Sequence, residues 1–299
     1  MEPLDFAALL REERAKHRSR TGRGQPTAVD PSQELSQAEE VRTPPHPTET
    51  RPPLVLAPQP AVDLNQCRVG TIPHVYYVPD FLTDDDERAI LGHTYASSSW
   101  VVLKTRRLQC WGGRPGDTFS PEPLPPWLEA ISDSLVSRGV LGAQDRPNHV
   151  LLNEYQPGQG IMQHTDGPYY DGWAATVSLG GDAIMHFSKR LATEEIGRSL
   201  SDSGGGGEGG GGAAGAPPRP AQSLVLRRRC LVLFAGDAYA GMLHGIDAVD
   251  SEVVGAAGPA STVVNAQAAG ATAGEVIRRE VRLSLTLRRV ATREGPAAS

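Results

Sequence analysis

The sequence predicts a mainly β protein, an antiparallel sandwich or barrel flanked by N-terminal helices. Three observations carry this expectation. Two helix-forming stretches precede a long series of short apolar segments punctuated by Gly, Pro and Asp. The segments show no strand–helix–strand alternation of the kind a parallel sheet needs. One of them, residues 281–288, alternates apolar and polar residues strictly. The chain has 299 residues, of which 39% are hydrophobic, enough to build a core.

Taken in order, residues 1–65 read as a disordered N-terminal tail. Residues 5–18 have the makings of one short helix with Phe6, Leu9 and Leu10 on a face, which is marginal alone and suits docking to a protein partner. Prolines then dominate 43–53. A first helix starts at Thr83, which caps a turn rich in acids, Asp84 to Glu87. Pro126 suits the first turn of a second helix, with Trp127, Leu128, Ile131 and Leu135 on one face. Residues 150–155, 174–179, 183–187, 223–226, 230–234 and 281–289 read as strands. Glycine- and alanine-rich stretches at 199–220 and 254–274 read as flexible inserts in one domain spanning 66–292, with a disordered end at 293–299.

Composition excludes several classes. No apolar run approaches the ~20 residues of a membrane helix, and the charged N-terminus has no secretory apolar region. Three scattered cysteines (Cys67, Cys110 and Cys230) make neither a disulfide framework nor a zinc–thiolate motif. The net charge of -6 argues against a strongly basic nucleic-acid binder, though not against a local basic groove. Only Lys16, Lys104 and Lys189 are lysines, so the abundance of arginine is compositional, and only the places of individual arginines count.

The chemistry-bearing residues are few. In His164-Thr165-Asp166, residues two apart in extended chain project to one face. With His244 they form two imidazoles and a carboxylate, the facial set that Fe(II) oxygenases use while leaving positions open for an oxoacid and O2; alone, His-x-Asp also fits an ordinary turn. In residues 281–288 the polar face is Arg282, Ser284, Thr286 and Arg288. It either meets water or lines a barrel, where two guanidinium groups would grip a dicarboxylate such as 2-oxoglutarate. Asn153 and Tyr155 share a face before Pro157-Gly158, and an amide and a phenol there suit hydrogen bonds to an acid ligand.

In this order these pieces resemble the AlkB-type Fe(II)/2-oxoglutarate dioxygenases. The matching stretches are 151–158, 164–166, 176–180, 243–246 and 282–288. The subgroup of the sixth mammalian AlkB homologue is the nearest in pattern, through Val78-Pro79-Asp80-Phe81-Leu82, residues 107–113 and His164-x-Asp166-Gly167-Pro168-x-Tyr170. The resemblance implies a double-stranded β-helix (jelly roll) with flanking N-terminal helices. It implies Fe(II) on His164, Asp166 and His244, 2-oxoglutarate on Asn153, Tyr155, Arg282, Ser284 and Arg288, and O2 as co-substrate. The implied reaction converts 2-oxoglutarate to succinate and CO2 and removes an N-methyl group from a base in DNA or RNA as formaldehyde. Founding members carry a second acid where Pro168 stands, so their substrate handling does not transfer. Tyr169, Tyr170 and Trp173 are candidates for an aromatic lid, and Arg106, Arg107, Trp111 and Arg114 for a nucleotide-recognition loop. The alternatives are an oxygenase of the same fold acting on a protein side chain, and a non-catalytic jelly-roll binding module. The expected partner is nucleic acid, with no membrane, a monomeric state, and residence in the nucleus, the cytoplasm or both.

Overall fold

The structure is a computed structural model that describes residues 51–116, 119–190, 220–255 and 263–290. The possible helix at 5–18, nearly all of the insert at 199–220 and the C-terminal end lie outside the described residues. The elements are α1 (Leu64–Cys67), β1 (Val75–Val78), α2 (Asp84–Ala96), β2 (Val101–Val102), β3 (Arg107–Trp111), α3 (Pro126–Ser137), β4 (His149–Tyr155), β5 (Ile161–His164), β6 (Trp173–Leu179), β7 (Ala183–Lys189), β8 (Gln222–Leu226), β9 (Leu231–Ala235), α4 (Asp237–Ala240), β10 (Met242–Ile246), β11 (Ser251–Val253), β12 (Val276–Arg278) and β13 (Arg282–Arg288).

The strands form a seven-stranded sheet in the order β1-β9-β6-β13-β4-β3-β2, a four-stranded sheet β5-β10-β7-β8, and a hairpin β11-β12, with all named pairings antiparallel. This is the mainly β jelly roll expected. All six expected strands appear with slightly different ends. Both expected helices appear too, and Thr83 closes a capping box with Asp86.

Alternation along the seven-stranded sheet separates two interiors. Val150 and Leu152 of β4, Ala175, Val177 and Leu179 of β6 and Leu283, Leu285 and Leu287 of β13 pack with Ile90 of α2 and Leu128, Ile131 and Leu135 of α3. The intervening residues face the four-stranded sheet, where Phe234 meets Phe187 edge-on with ring centroids 5.6 Å apart. The helices shield one face, so the other is free to enclose a site between the sheets.

Two boundaries differ from expectation. Residues 51–65 are not tail: Leu54 and Leu64 are buried in the helix-side core, and Val62 N donates to Arg138 O at 2.8 Å. Isolated leucines among prolines anchor this strap, although they show no periodicity. Of the segment 254–274, residues 263–274 pack onto the small sheet rather than hanging free. Val225 N donates to Asn265 Oδ1 and Asn265 Nδ2 donates to Val225 O, each at 2.8 Å, so one side-chain amide pairs with the backbone of edge strand β8.

Candidate metal centre and acid-binding pocket

β10 lies antiparallel to β5, with His244 directly opposite His164. The two imidazole centroids are 4.5 Å apart. This approach depends on Gly245, where a Cβ would stand 2.9 Å from both Gln163 N and Ile161 O. Two residues beyond His164 comes Asp166, and Gly167, at φ 84, turns the chain immediately afterwards. Tyr239 OH donates to Gly167 O at 3.0 Å and fixes that turn.

The donor atoms of His164, Asp166 and His244 all lie within 4.8 Å of one another. His164 Nδ1 faces Met162 O at 2.8 Å, which leaves Nε2 as the ligating nitrogen. Asp166 Oδ1 receives Arg288 Nη2, while Oδ2 is buried without a hydrogen-bond partner. Burial pushes the Asp166 carboxyl up, but Arg288, His244 and His164 together hold it below the usual carboxylate range. Burial lowers both histidines, His244 to about 3, with the neighbouring His164 adding to the effect. One ionised carboxylate and two neutral imidazoles, all already deprotonated, fit a divalent transition metal.

The other end of the same pocket is built on β4 and β13. Arg282 stands opposite Tyr155 and Ser284 opposite Asn153, and all four line the pocket with the three donor residues. Arg282 is buried, 1% exposed, and its Nη2 donates to Ser178 Oγ at 2.8 Å. Its Nε and Nη1 are buried with no partner. The Tyr155 ring lies 5.9 Å from the guanidinium carbon, but with a neutral hydroxyl and a neutral ring the buried charge is not neutralised, and burial lowers its pKa. An anion with a carboxylate at this end satisfies it.

The comparisons with known proteins agree with this geometry. A model of the 2OG-Fe(II) oxygenase superfamily matches residues 74–288. The chain belongs to this superfamily. It is 33% identical over 221 residues to "Probable RNA/DNA demethylase ALKBH6" of Danio rerio, covering 73% of this chain and 86% of that protein. It is 26% identical over 128 residues to "tRNA (carboxymethyluridine(34)-5-O)-methyltransferase ALKBH8" of Macaca fascicularis, 38% of this chain and 19% of that protein. A solved structure, that of OsALKBH1, has 16% sequence identity and a TM-score of 0.44, covering 74% of this chain and 100% of that one.

As a 2OG-Fe(II) oxygenase of AlkB type, the chain is a dioxygenase that uses Fe(II), 2-oxoglutarate and O2. The oxygenase pocket brings together His164, Asp166, His244, Asn153, Tyr155, Arg282, Ser284 and Arg288. It does not bring together the expected nucleotide-recognition residues. On β3 the alternation turns Arg107 and Trp111 to the helix side of the sheet. Arg107 is a bidentate partner of Glu154, at 2.7 and 2.8 Å, and stacks on Trp100 at 4.2 Å. Trp111 donates to Gln109 Oε1 at 3.1 Å and packs on the helix-side core. Trp173 is fully buried in that same core, so it is no part of a lid. Tyr170 is only 1% exposed; its ring lies 4.8 Å beneath the Arg288 guanidinium and 5.3 Å from His149, as a wall behind Asp166. Tyr169 beside it is half-buried. Arg106 reaches the pocket side, where its Nε donates to Asn153 Oδ1 at 2.9 Å.

The sequence reading missed Ser178 and Thr176, which stand opposite Ser284 and Thr286 on β6. The signal was present: residues 175–179, Ala-Thr-Val-Ser-Leu, alternate apolar and polar as residues 281–288 do.

Proposed function

We propose that this dioxygenase oxidatively removes N-alkyl groups from bases in DNA or RNA. The observation that carries the substrate class is the 33% identity, over 73% of this chain, to a relative named a probable RNA/DNA demethylase. His164, Asp166 and His244 would hold the iron. When bound, iron and 2-oxoglutarate supply the activation of O2 that oxidises a carbon–hydrogen bond. Arg282, assisted by Ser284 and Tyr155, takes the distal carboxylate of 2-oxoglutarate, and Asn153 donates to the co-substrate from β4. Arg288, expected with the 2-oxoglutarate residues, donates to Asp166, so its role here is to fix that carboxylate with the second oxygen offered to the metal. Leu151, Met185 and Ile246 add apolar surface to the lining of the same pocket.

The deciding experiment is succinate and formaldehyde release by the full chain with Fe(II), across methylated DNA and RNA oligonucleotides and methylated peptides. Oligonucleotide-dependent formaldehyde supports the reading. Turnover stimulated only by peptides overturns it in favour of a protein substrate. Nucleus and cytoplasm, where such polymers reside, are the proposed places of action.

A further inference from the structure

We propose that Arg106 is a positioning residue for the co-substrate, acting through the amide of Asn153. The inference rests on the reading that Asn153 meets 2-oxoglutarate. Arg106 sits at the turn of the β2–β3 hairpin, where Leu103 N donates to Arg106 O at 2.8 Å. Its side chain enters the pocket side of the sheet and is 4% exposed. Its Nε donates to Asn153 Oδ1 at 2.9 Å, in a buried contact.

The chemistry of this contact is directional. An amide has one accepting and one donating branch, and a guanidinium has donors only. Arg106 therefore dictates which way round the amide stands: the oxygen turns to the arginine, and the NH2 branch is left for a ligand. 2-Oxoglutarate presents only acceptors, two carboxylates and a ketone. An amide turned the other way would set oxygen against oxygen, and a buried acceptor pair of that kind is costly. Ser284, the residue opposite Asn153, is a hydroxyl that rotates to suit either orientation, so it does not impose one. Arg106 supplies the choice.

Gln and Met variants isolate this role from charge. The Nε2 of a glutamine is as many bonds from its backbone as the Nε of an arginine, so Arg106→Gln keeps a donor to Asn153 and loses the charge. Arg106→Met loses both while filling the space. The measurement is calorimetric titration of 2-oxoglutarate into the Fe(II)-loaded full chain without oxygen, which reads binding and not turnover. Arg106→Met is expected to weaken binding about 5- to 10-fold, and Arg106→Gln to stay within about twofold of the natural protein. On an Asn153→Ala background, Arg106→Met is expected to add nothing. The proposal is overturned if Gln weakens binding as much as Met, which would make the charge the cause. It is equally overturned if Met acts in full on the Asn153→Ala background, or changes nothing in the natural one. If the natural chain binds no 2-oxoglutarate, the functional reading itself is wrong; if it binds and only the Arg106 variants misbehave, the inference alone falls.

Discussion

Arg282 and Arg288 stand at the two ends of β13, on the same face and both buried, yet they are held in opposite ways. Arg288 has a carboxylate partner, Asp166. Burial lowers its pKa, but the charge and hydrogen bond of Asp166 together with Tyr170 and Tyr239 outweigh burial and raise it. Arg282 has the hydroxyl of Ser178 and the ring of Tyr155, 5.9 Å away, and burial lowers its pKa. The same residue type therefore does two jobs. One guanidinium is paired with a carboxylate of the candidate metal centre, while the other has two nitrogens with no hydrogen-bond partner among the described residues. The difference lies in the partners contributed by neighbouring elements, and β13 by itself contains no hint of it.

The comparison is sharpened most by removing the metal end. His164→Ala or Asp166→Ala should abolish iron binding and 2-oxoglutarate decarboxylation, a loss of more than about 100-fold given that even outer-shell partners are worth about 10–100-fold. Metal analysis and succinate assay check this, and retained turnover in either variant overturns the metal assignment. Arg282→Ala should raise the KM for 2-oxoglutarate by about 10- to 150-fold, the loss of a charge-assisted pair of about 1.5–3 kcal/mol. Iron affinity should be unchanged, and an unchanged KM would break the contrast. Arg288→Gln should show the reverse pattern, with iron affinity weakened by about 10–100-fold and a smaller effect on 2-oxoglutarate binding measured at saturating iron.

The smallest effect belongs to a pair on the far side of the sheet. Burial pushes the Glu154 carboxyl up, but the Arg107 hydrogen bond, assisted by Tyr95, Gln156 and the charge of Arg107, brings it below the ordinary value. A depressed carboxylate contributes stability that is present above its unfolded pKa of about 4.3 and is lost as pH falls through the lower folded value. Glu154→Gln should cost about 1 kcal/mol near neutral pH, since the half-exposed Arg107 is screened by solvent. The cost should vanish in acid, as read by denaturation at several pH values. Binding of 2-oxoglutarate should not move.

Much of the pocket was legible because strand alternation states which residues share a face. His164 and Asp166, Asn153 and Tyr155, and the polar face of β13 all follow from spacing by two. The same rule undoes the expected nucleotide-recognition loop. Arg107 begins β3 on the helix side opposite Glu154, whereas Arg106, at the preceding turn, reaches Asn153 on the other side. For Tyr170 a lid and packing over the barrel mouth were both open in sequence, and its burial under Arg288 depends on a contact across more than a hundred residues. β1, β2, β3, β5, β10, β11 and β12 were not expected either; β2, β11 and β12 are only two or three residues long, and pairing defines them. The strap at 51–65 was hidden by prolines, whose extended backbone packs without any period.

The amide of Asn265 on β8 has a consequence for how the molecule behaves in a crowd. Exposed sheet margins invite intruding strands from other chains, and natural proteins blunt them. Here one asparagine occupies both the N–H and the carbonyl of Val225, while Val264 N takes the carbonyl of Ser223. A segment that reads as loose filler thus acts as a selvedge, stopping the fabric of the small sheet from being extended by a stranger.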